Sequence, residues 1–566
     1  MQKINPFEHH YFLGYVSQVL PQFVKIHFPS SVLLNGFTHY GQDFNGGLIG
    51  SFVVIEGDKV GFLGRITELS LPESERLSLN EKAFQTSDFH PTGKIEVLLS
   101  FDLYNPFKAK KGLTAYPNIG AKIFVSSGKL VQKYLSNFGV KETDTNPPVV
   151  ELGHLVSTPS TSVSVSLQSI FGRHCAVVGT TGGGKSYTIS KLIESIISKK
   201  NKAILIDATG EYDGKYENAT TINIGDGQHV FHYTQLTIDD MFFLLRPSPK
   251  TQTPKLMEAM RSLKIVKINN ENNLEHNGNV IPVQDGLLKK SGTQKKPYEV
   301  YYYRNISKIE DGLATFDFMK LSRQLNEECA FDNGTSWGNI SQTDISYCVS
   351  LMARINNIAN TPEYDNIFGF KKLKDDKTDI TVLLDKFLAE DNSMLLRMNF
   401  GDVPFDFQVR EILANAIGKY LLTKARAKTF VNKPVIFLMD EAHQFLNKSV
   451  RDEYFEAKPL DAFDSIAKEC RKHGLFLCLA TQMPRDIPIG TLSQMGTFIV
   501  HRLITFNDKE AINNACSTAN KNTLDFLPIL GEGEAILTGV DFPMPIILKF
   551  DEPENRPNSK TPALSS

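Results

Sequence analysis

Around Lys94 the apolar positions recur with a period of two: Ile95, Val97, Leu99, Phe101 and Leu103 share one face, the pattern of a half-buried strand. Breaks at Gly46-Gly47, Gly57-Asp58 and Thr92-Gly93 separate further short runs, so the chain to about Thr143 is predicted to be β-rich, a small barrel or sandwich. Residues 144–165 are rich in Pro, Ser and Thr, as linkers are, and the periodicity changes beyond them. Unbroken apolar runs of strand length follow: Cys175 to Val178, Ala203 to Ile206, Leu395 to Asn399, Val435 to Met439, Leu475 to Ala480 and Phe498 to Val500. Such runs suit parallel strands buried on both faces. Helical stripes intervene at Ile189, Leu192, Ile193, Ile196 and Ile197, and at Val409, Ile412, Leu413, Ile417 and Leu421. Strands alternating with helices predict an α/β doubly wound core. Between the second and third apolar runs, mixed helical patterns with a polar middle from Asn269 to Gly292 predict an inserted, mainly helical subdomain carrying a mobile loop.

The expected organisation is therefore a β domain over 1–150, a first core segment over 151–235, a helical insertion over 236–394, a second core segment over 395–540, and a terminal strand and tail over 541–566. A chain of 566 residues affords several cores. Its 61 basic and 63 acidic side chains nearly cancel, to a formal net charge of -2, so any nucleic-acid contact has to be local. Lys289 and Lys295 are candidates on composition only, since such residues are more often solvated loop. Six scattered cysteines form no CxxC pair, which argues against a zinc site or a disulfide framework and for a reducing cytoplasm. The N-terminus lacks the layout of a signal peptide and no apolar run approaches membrane-spanning length, so a cytoplasmic protein without membrane contact is expected.

Chemistry enters at Gly179-Thr180-Thr181-Gly182-Gly183-Gly184-Lys185-Ser186, which fits the G-x-x-x-x-G-K-[ST] phosphate loop between an expected strand and an amphipathic helix that continues through Tyr187. Glycines let backbone N–H groups wrap phosphates, Lys185 would neutralise the β- and γ-phosphates, and Ser186 would ligate Mg2+. The apolar run ending at Met439 delivers Asp440 and Glu441 to a strand's C-terminal end, where α/β sheets bind ligands. Asp440 suits magnesium and Glu441 suits a general base for water, although adjacent carboxylates there can also cap the next helix. The neighbouring glutamate favours hydrolysis over transfer to a small acceptor. No NKxD motif is completed at Asn432-Lys433, which favours ATP over GTP, and no LSGGQ signature occurs. Gln482 ends a third strand, where it could sense the γ-phosphate or be a satisfied structural amide. Arg471 and Lys472 lie just upstream, as solvated surface or as an arginine finger reaching a neighbouring subunit.

Taken together these blocks resemble the HerA family, within the HerA and FtsK branch of RecA-like motor ATPases. The segment from Phe171 to Ser186, with Arg173 ahead of the strand, looks like that family's phosphate-loop block. Leu205 to Tyr212 is similar to the family strand that ends in Asp before a Gly-Glu-Tyr turn, which implies roles near metal and nucleotide for Asp207 and Glu211. Ala208-Thr209 stands where the family usually has Pro-His. The β-rich start resembles the family's N-terminal HAS-barrel. The resemblance implies a RecA-like P-loop core, catalytic roles for Lys185, Glu441, Arg471, Gln482 and Arg173, a homohexameric ring fuelled by Mg-ATP, and duplex DNA in a central channel. It also implies a separate effector docked on the barrel, a nuclease or a sirtuin-like NAD hydrolase, either served by a DNA translocase or governed by an ATPase scaffold in antiphage defence.

Overall fold

The computed structural model describes residues 5–21, 23–72, 89–106, 109–113, 115–140, 146–271, 281–371, 377–446, 460–516 and 524–558. Six strands near the N-terminus, β1 (Phe12–Val19), β2 (Phe23–His27), β3 (Phe52–Ile55), β4 (Val60–Ser70), β5 (Thr92–Asp102) and β6 (Lys122–Val125), pair in the order β2-β1-β6-β3-β4-β5, and β5 closes back onto β2. Closure leaves no free edge among these six, which removes the tendency of edge strands to pair with other chains. The alternation expected from Ile95 holds in part. Ile95, Leu99 and Phe101 are buried, but register shifts against β4 turn Glu96 inward, where it meets the buried Arg65 guanidinium at 2.7 Å. A helix, α1 (Gly128–Asn137), capped by the Ser127 hydroxyl, leads out of the barrel.

Of the expected linker, residues 146–165 instead contribute a hairpin, β7 (Val149–Leu155) with β8 (Ser162–Ser166). Val150, Leu152, Val163 and Val165 supply an apolar face, and the Ser, Thr and Pro residues collect in the turn between. This hairpin begins an eleven-stranded sheet whose other members are β9 (Cys175–Val178), β10 (Lys202–Asp207), β11 (Ala219–Asn223), β12 (Leu395–Asn399), β13 (Val435–Met439), β14 (Leu475–Thr481), β15 (Thr497–Val500), β16 (Glu534–Gly539) and β17 (Ile546–Phe550). The order is β8-β7-β17-β16-β15-β9-β14-β13-β10-β12-β11. From β15 to β11 neighbours run parallel; the remaining four strands are antiparallel.

All six apolar runs are strands of the parallel region, and the expected helices are α2 (Lys185–Ser198) and, further on, a long helix over Val409–Arg426. One sheet face shares a continuous apolar cluster with the barrel and α2, and the other is covered by the Val409–Arg426 helix and the helices of the insertion. Between β11 and β12 these include α3 (Ile238–Leu245), α4 (Gln252–Glu271) and α5 (Gln342–Asn360). The centre of the polar stretch, 272–280, lies outside the described residues; its flanks hold the end of α4 and a short hairpin, Val283–Gln284 against Leu287–Leu288. The Val409–Arg426 helix is α6.

Candidate nucleotide site

Parallel packing sends the C-terminal ends of β9, β13, β14 and β10 to the same edge, so residues far apart in sequence converge there. The loop after β9 needs glycine: Gly182 and Gly184 have φ of 73° and 101°, and a Cβ on Gly179 would lie 2.5 Å from the Cβ of His501. Lys185 opens α2, so the lysine stands at the helix's positive end. The Lys185 Nζ lies 3.5 Å from Glu441 Oε1, and both side chains are buried. Gln482 donates from Nε2 to that same carboxylate oxygen, while its Oε1 accepts from the Thr181 hydroxyl at 2.5 Å. His443 Nδ1 lies 3.3 Å from the other Glu441 oxygen. Lysine, glutamate, glutamine and phosphate loop thus form one connected cluster. Glu441 sits in the left-handed region at φ 44°, a strained conformation for a residue with a side chain and one that recurs at functional sites.

The Ser186 hydroxyl donates to Glu211 Oε2 at 3.1 Å, and the Tyr212 hydroxyl donates to Asp440 Oδ2 at 3.1 Å. Burial, then the neighbouring Glu441 charge, push the Asp440 carboxyl up to about 7. Burial and the Asp440 charge likewise push the Tyr212 phenol well up.

The remaining sequence candidates make other contacts. The Asp207 carboxylate accepts from the backbone N–H groups of Gly210 (2.8 Å), Glu211 (3.1 Å) and Tyr212 (3.1 Å) and from Arg397 Nε at 2.8 Å. With its lone pairs occupied and its side chain fully buried, it shapes the turn that presents Glu211 rather than facing a ligand itself. Thr180 donates from its hydroxyl to the Arg502 carbonyl at 3.1 Å, and Tyr187 is half-buried on α2. Arg173 precedes β9 whereas the phosphate loop follows it, and the strand's four residues separate the two by about 13 Å or more. Its Nε donates to Asp541 at 2.8 Å. Arg471 likewise precedes β14, exposed and without an ion pair among the described residues, and lines with Arg173, His174 and Lys468 a cavity of about 300 Å³. This chain therefore does not bring Arg173 or Arg471 to its own phosphate loop. Lys289 pairs with Glu327 at 2.8 Å and Lys295 with Asp332, so both of these compositional candidates are engaged within the insertion.

Three residues of the site gave no signal in sequence. His501 follows β15 and packs beneath the phosphate loop; its Nδ1 donates to the Glu534 carbonyl (2.9 Å), leaving Nε2 to accept from the Thr188 hydroxyl at 3.0 Å. Burial, reinforced by Lys185, pulls its pKa down to about 4 and keeps the imidazole neutral. Arg397 holds Asp207, and Arg410 ties three surrounding segments together. Only spatial convergence identifies them.

The profile described as "Helicase HerA, central domain" matches residues 150–384, and that described as "Helicase HerA-like C-terminal" matches 428–552. The chain belongs to the HerA helicase family. It is similar to the "Probable helicase MJ1565" of Methanocaldococcus jannaschii, 24% identical over 520 residues that cover 90% of this chain and 87% of that protein. It is similar also to the "DNA double-strand break repair helicase HerA" of Pyrococcus furiosus, 22% identical across 76% of this chain and 73% of its relative. Among solved structures, the conjugative coupling protein TrwB overlaps 70% of this chain and 88% of its own at 12% identity and a TM-score of 0.42. VirB4 of Thermoanaerobacter pseudethanolicus overlaps 73% of this chain and 99% of its own at 15% identity and a TM-score of 0.41, and both likenesses are too distant to carry function. Family membership makes the chain a P-loop ATPase with helicase-like activity.

Proposed function

We propose that this chain is an ATP-hydrolysing motor that assembles as a homohexameric ring, translocates on double-stranded DNA and works with a separate effector protein. The observation that carries the reading is the convergence of Lys185, Ser186, Glu211, Asp440, Glu441 and Gln482 at one sheet edge. Lys185 and the backbone N–H groups from Gly179 to Ser186 bind the phosphates of ATP and are aimed at where charge develops as the γ-phosphoryl departs. Glu441 accepts a proton from the attacking water, and Gln482, bonded both to Glu441 and to the loop's Thr181, positions that carboxylate against the phosphate.

The Ser186 hydroxyl with the Glu211 and Asp440 carboxylates is an all-oxygen set, the donor chemistry of a hard divalent cation. Asp440, pushed up to about 7 by burial and by the Glu441 charge, is a carboxyl whose charged form a bound cation would favour. Ser186 and Asp440 would hold Mg2+ there, and the cation when bound neutralises phosphate charge. Arg471, exposed at the opposite edge, acts in trans on the nucleotide of a neighbouring subunit. No helix among the described residues is long and apolar enough to cross a membrane.

A second reading, an ATPase scaffold that assembles and activates a nuclease or a sirtuin-like NAD hydrolase in antiphage defence, is favoured by the barrel. Tyr104 and Tyr40 there are 95% and 87% exposed, as anchors of a docking surface would be. ATP turnover measured with and without duplex DNA separates the two. Stimulation by DNA alone supports the motor; turnover indifferent to DNA but dependent on a co-purifying effector overturns it in favour of the scaffold.

A further inference from the structure

Arg410 presents an energetic problem. It is 3% exposed, and among the described residues no carboxylate pairs with its guanidinium. It stands in the first turn of α6, where the helix's positive end disfavours a cation. Burial lowers its pKa, and the nearby Glu411 carboxylate, which makes no ion pair with it, offsets that only in part. All of its partners are neutral oxygens. Nε donates to the Val403 carbonyl at 2.8 Å, Nη1 to the Ala208 carbonyl and to Gln444 Oε1 at 3.1 Å each, and Nη2 to the carbonyls of Phe400 at 2.9 Å and Gly401 at 3.4 Å. The Phe405 ring covers the guanidinium plane at 3.8 Å.

Those acceptors belong to three separate segments of the nucleotide edge. Ala208 begins the turn that presents Glu211 to Ser186, Gln444 follows the Glu441 turn, and Phe400, Gly401 and Val403 form the loop after β12. Only a planar five-donor fork reaches all three at once; a lysine ammonium has three donors and cannot span them. The loop after β12 then runs to Gln408, itself left-handed at φ 57°, whose Oε1 accepts from Arg246 at 3.2 Å. Arg246 is the left-handed C-cap of α3 in the insertion, at φ 47°. Two strained residues joined by a hydrogen bond thus connect the insertion to the loop that Arg410 grips.

We propose that Arg410 is a positioning residue for ATP hydrolysis, fixing the Glu211 turn against the Glu441 turn and linking both, through Gln408 and Arg246, to the helical insertion. The inference rests on the hydrolytic reading given above. It does not place Arg410 on the substrate: the guanidinium has no donor left for a phosphate.

The test compares Arg410→Met and Arg410→Lys with the wild-type full-length chain in three measurements: melting temperature, equilibrium binding of mant-ATP, and steady-state ATP turnover. Both variants are expected to bind mant-ATP within about threefold of wild type, because the phosphate loop is untouched, while kcat falls about 100-fold for Met and at least tenfold for Lys. The lysine variant guards against misfolding, since it keeps the charge and most of the stem. Wild-type kcat in Arg410→Lys would overturn the inference, as would parallel loss of melting temperature, binding and turnover in both variants, which marks a purely structural residue. A wild-type chain that binds mant-ATP without hydrolysing ATP would overturn the functional reading, and this inference with it.

Discussion

The two edges of the parallel sheet differ in how their charged side chains are paired. At the C-terminal edge Lys185, Glu441, Gln482 and Thr181 bond one another, Asp207 is saturated by backbone N–H groups and Arg397, and most of the site is buried. At the N-terminal edge the cavity of about 300 Å³ is lined by three cations. Arg173 is held by Asp541 and Lys468 by Asp464, while Arg471 projects into solvent with no acidic partner among the described residues. A buried cluster of this kind is pre-organised to bind and to act; an exposed arginine is worth little to the fold and is available to a partner. One chain therefore contains a connected polar cluster around its phosphate-loop motif at one edge and an arginine without an acidic partner among the described residues at the other. That asymmetry motivates the proposal that neighbouring subunits share a site.

The strongest challenge to this comparison is to remove Lys185. Lys185→Ala is expected to reduce ATP turnover to background, a loss of roughly 10³-fold or more, and to weaken mant-ATP binding. Turnover near wild type would dissociate the C-terminal edge from catalysis. Arg471→Ala is expected to bind mant-ATP normally and to lose about 10³-fold in turnover. Mixed rings containing Arg471→Ala and Lys185→Ala subunits should recover part of the activity, because some interfaces then pair an intact lysine with an intact arginine. Homogeneous Arg471→Ala rings with wild-type turnover would sharpen the comparison differently, leaving the N-terminal edge without a catalytic part.

The smallest expected effect concerns stability and involves both edges. His501 lies under the phosphate loop and His174 lies in the arginine cavity; burial, the leading cause for both, pulls each down to about 4 from an ordinary 6.5. Both are neutral when folded at pH 7. As pH falls from 6.5 towards 4 the unfolded chain takes up these protons and the folded chain does not, so stability present above 6.5 is lost across that window, by about 3 kcal/mol per histidine. Asp440, pushed up to about 7, acts in the opposite sense over the same range, so the wild-type profile alone is partly cancelled. The comparison of wild type with His501→Asn removes that term. Urea melts at pH 7.5 and 5 should show a smaller acid-induced loss in the variant, and equal losses would contradict a neutral, buried His501.

The six core strands were legible because burial on both faces demands continuous apolar runs, and the phosphate loop because its glycines and lysine are adjacent in sequence. Of the outer strands, Ile546–Phe550 falls in the expected terminal segment, but three others gave no such signal. Ala219–Asn223 buries only Ile222 and carries no run, and Val149–Leu155 with Ser162–Ser166 was masked by the Ser, Thr and Pro residues of its turn. Contacts assembled by topology escaped for the same reason. Arg410 meets Ala208 across 202 positions, His501 meets Thr188 across 313, and no local spacing records either. Asp207 shows the converse: its place at a strand end was legible, but not that backbone donors and Arg397 would occupy its carboxylate.

The most direct test of the central claim is the fate of ATP on Glu441→Gln, which keeps the side chain's shape and removes its basicity. With Mg2+ and radiolabelled ATP, the account predicts that the variant retains ATP and releases phosphate at least 100-fold more slowly than wild type. Phosphate release at the wild-type rate would contradict it.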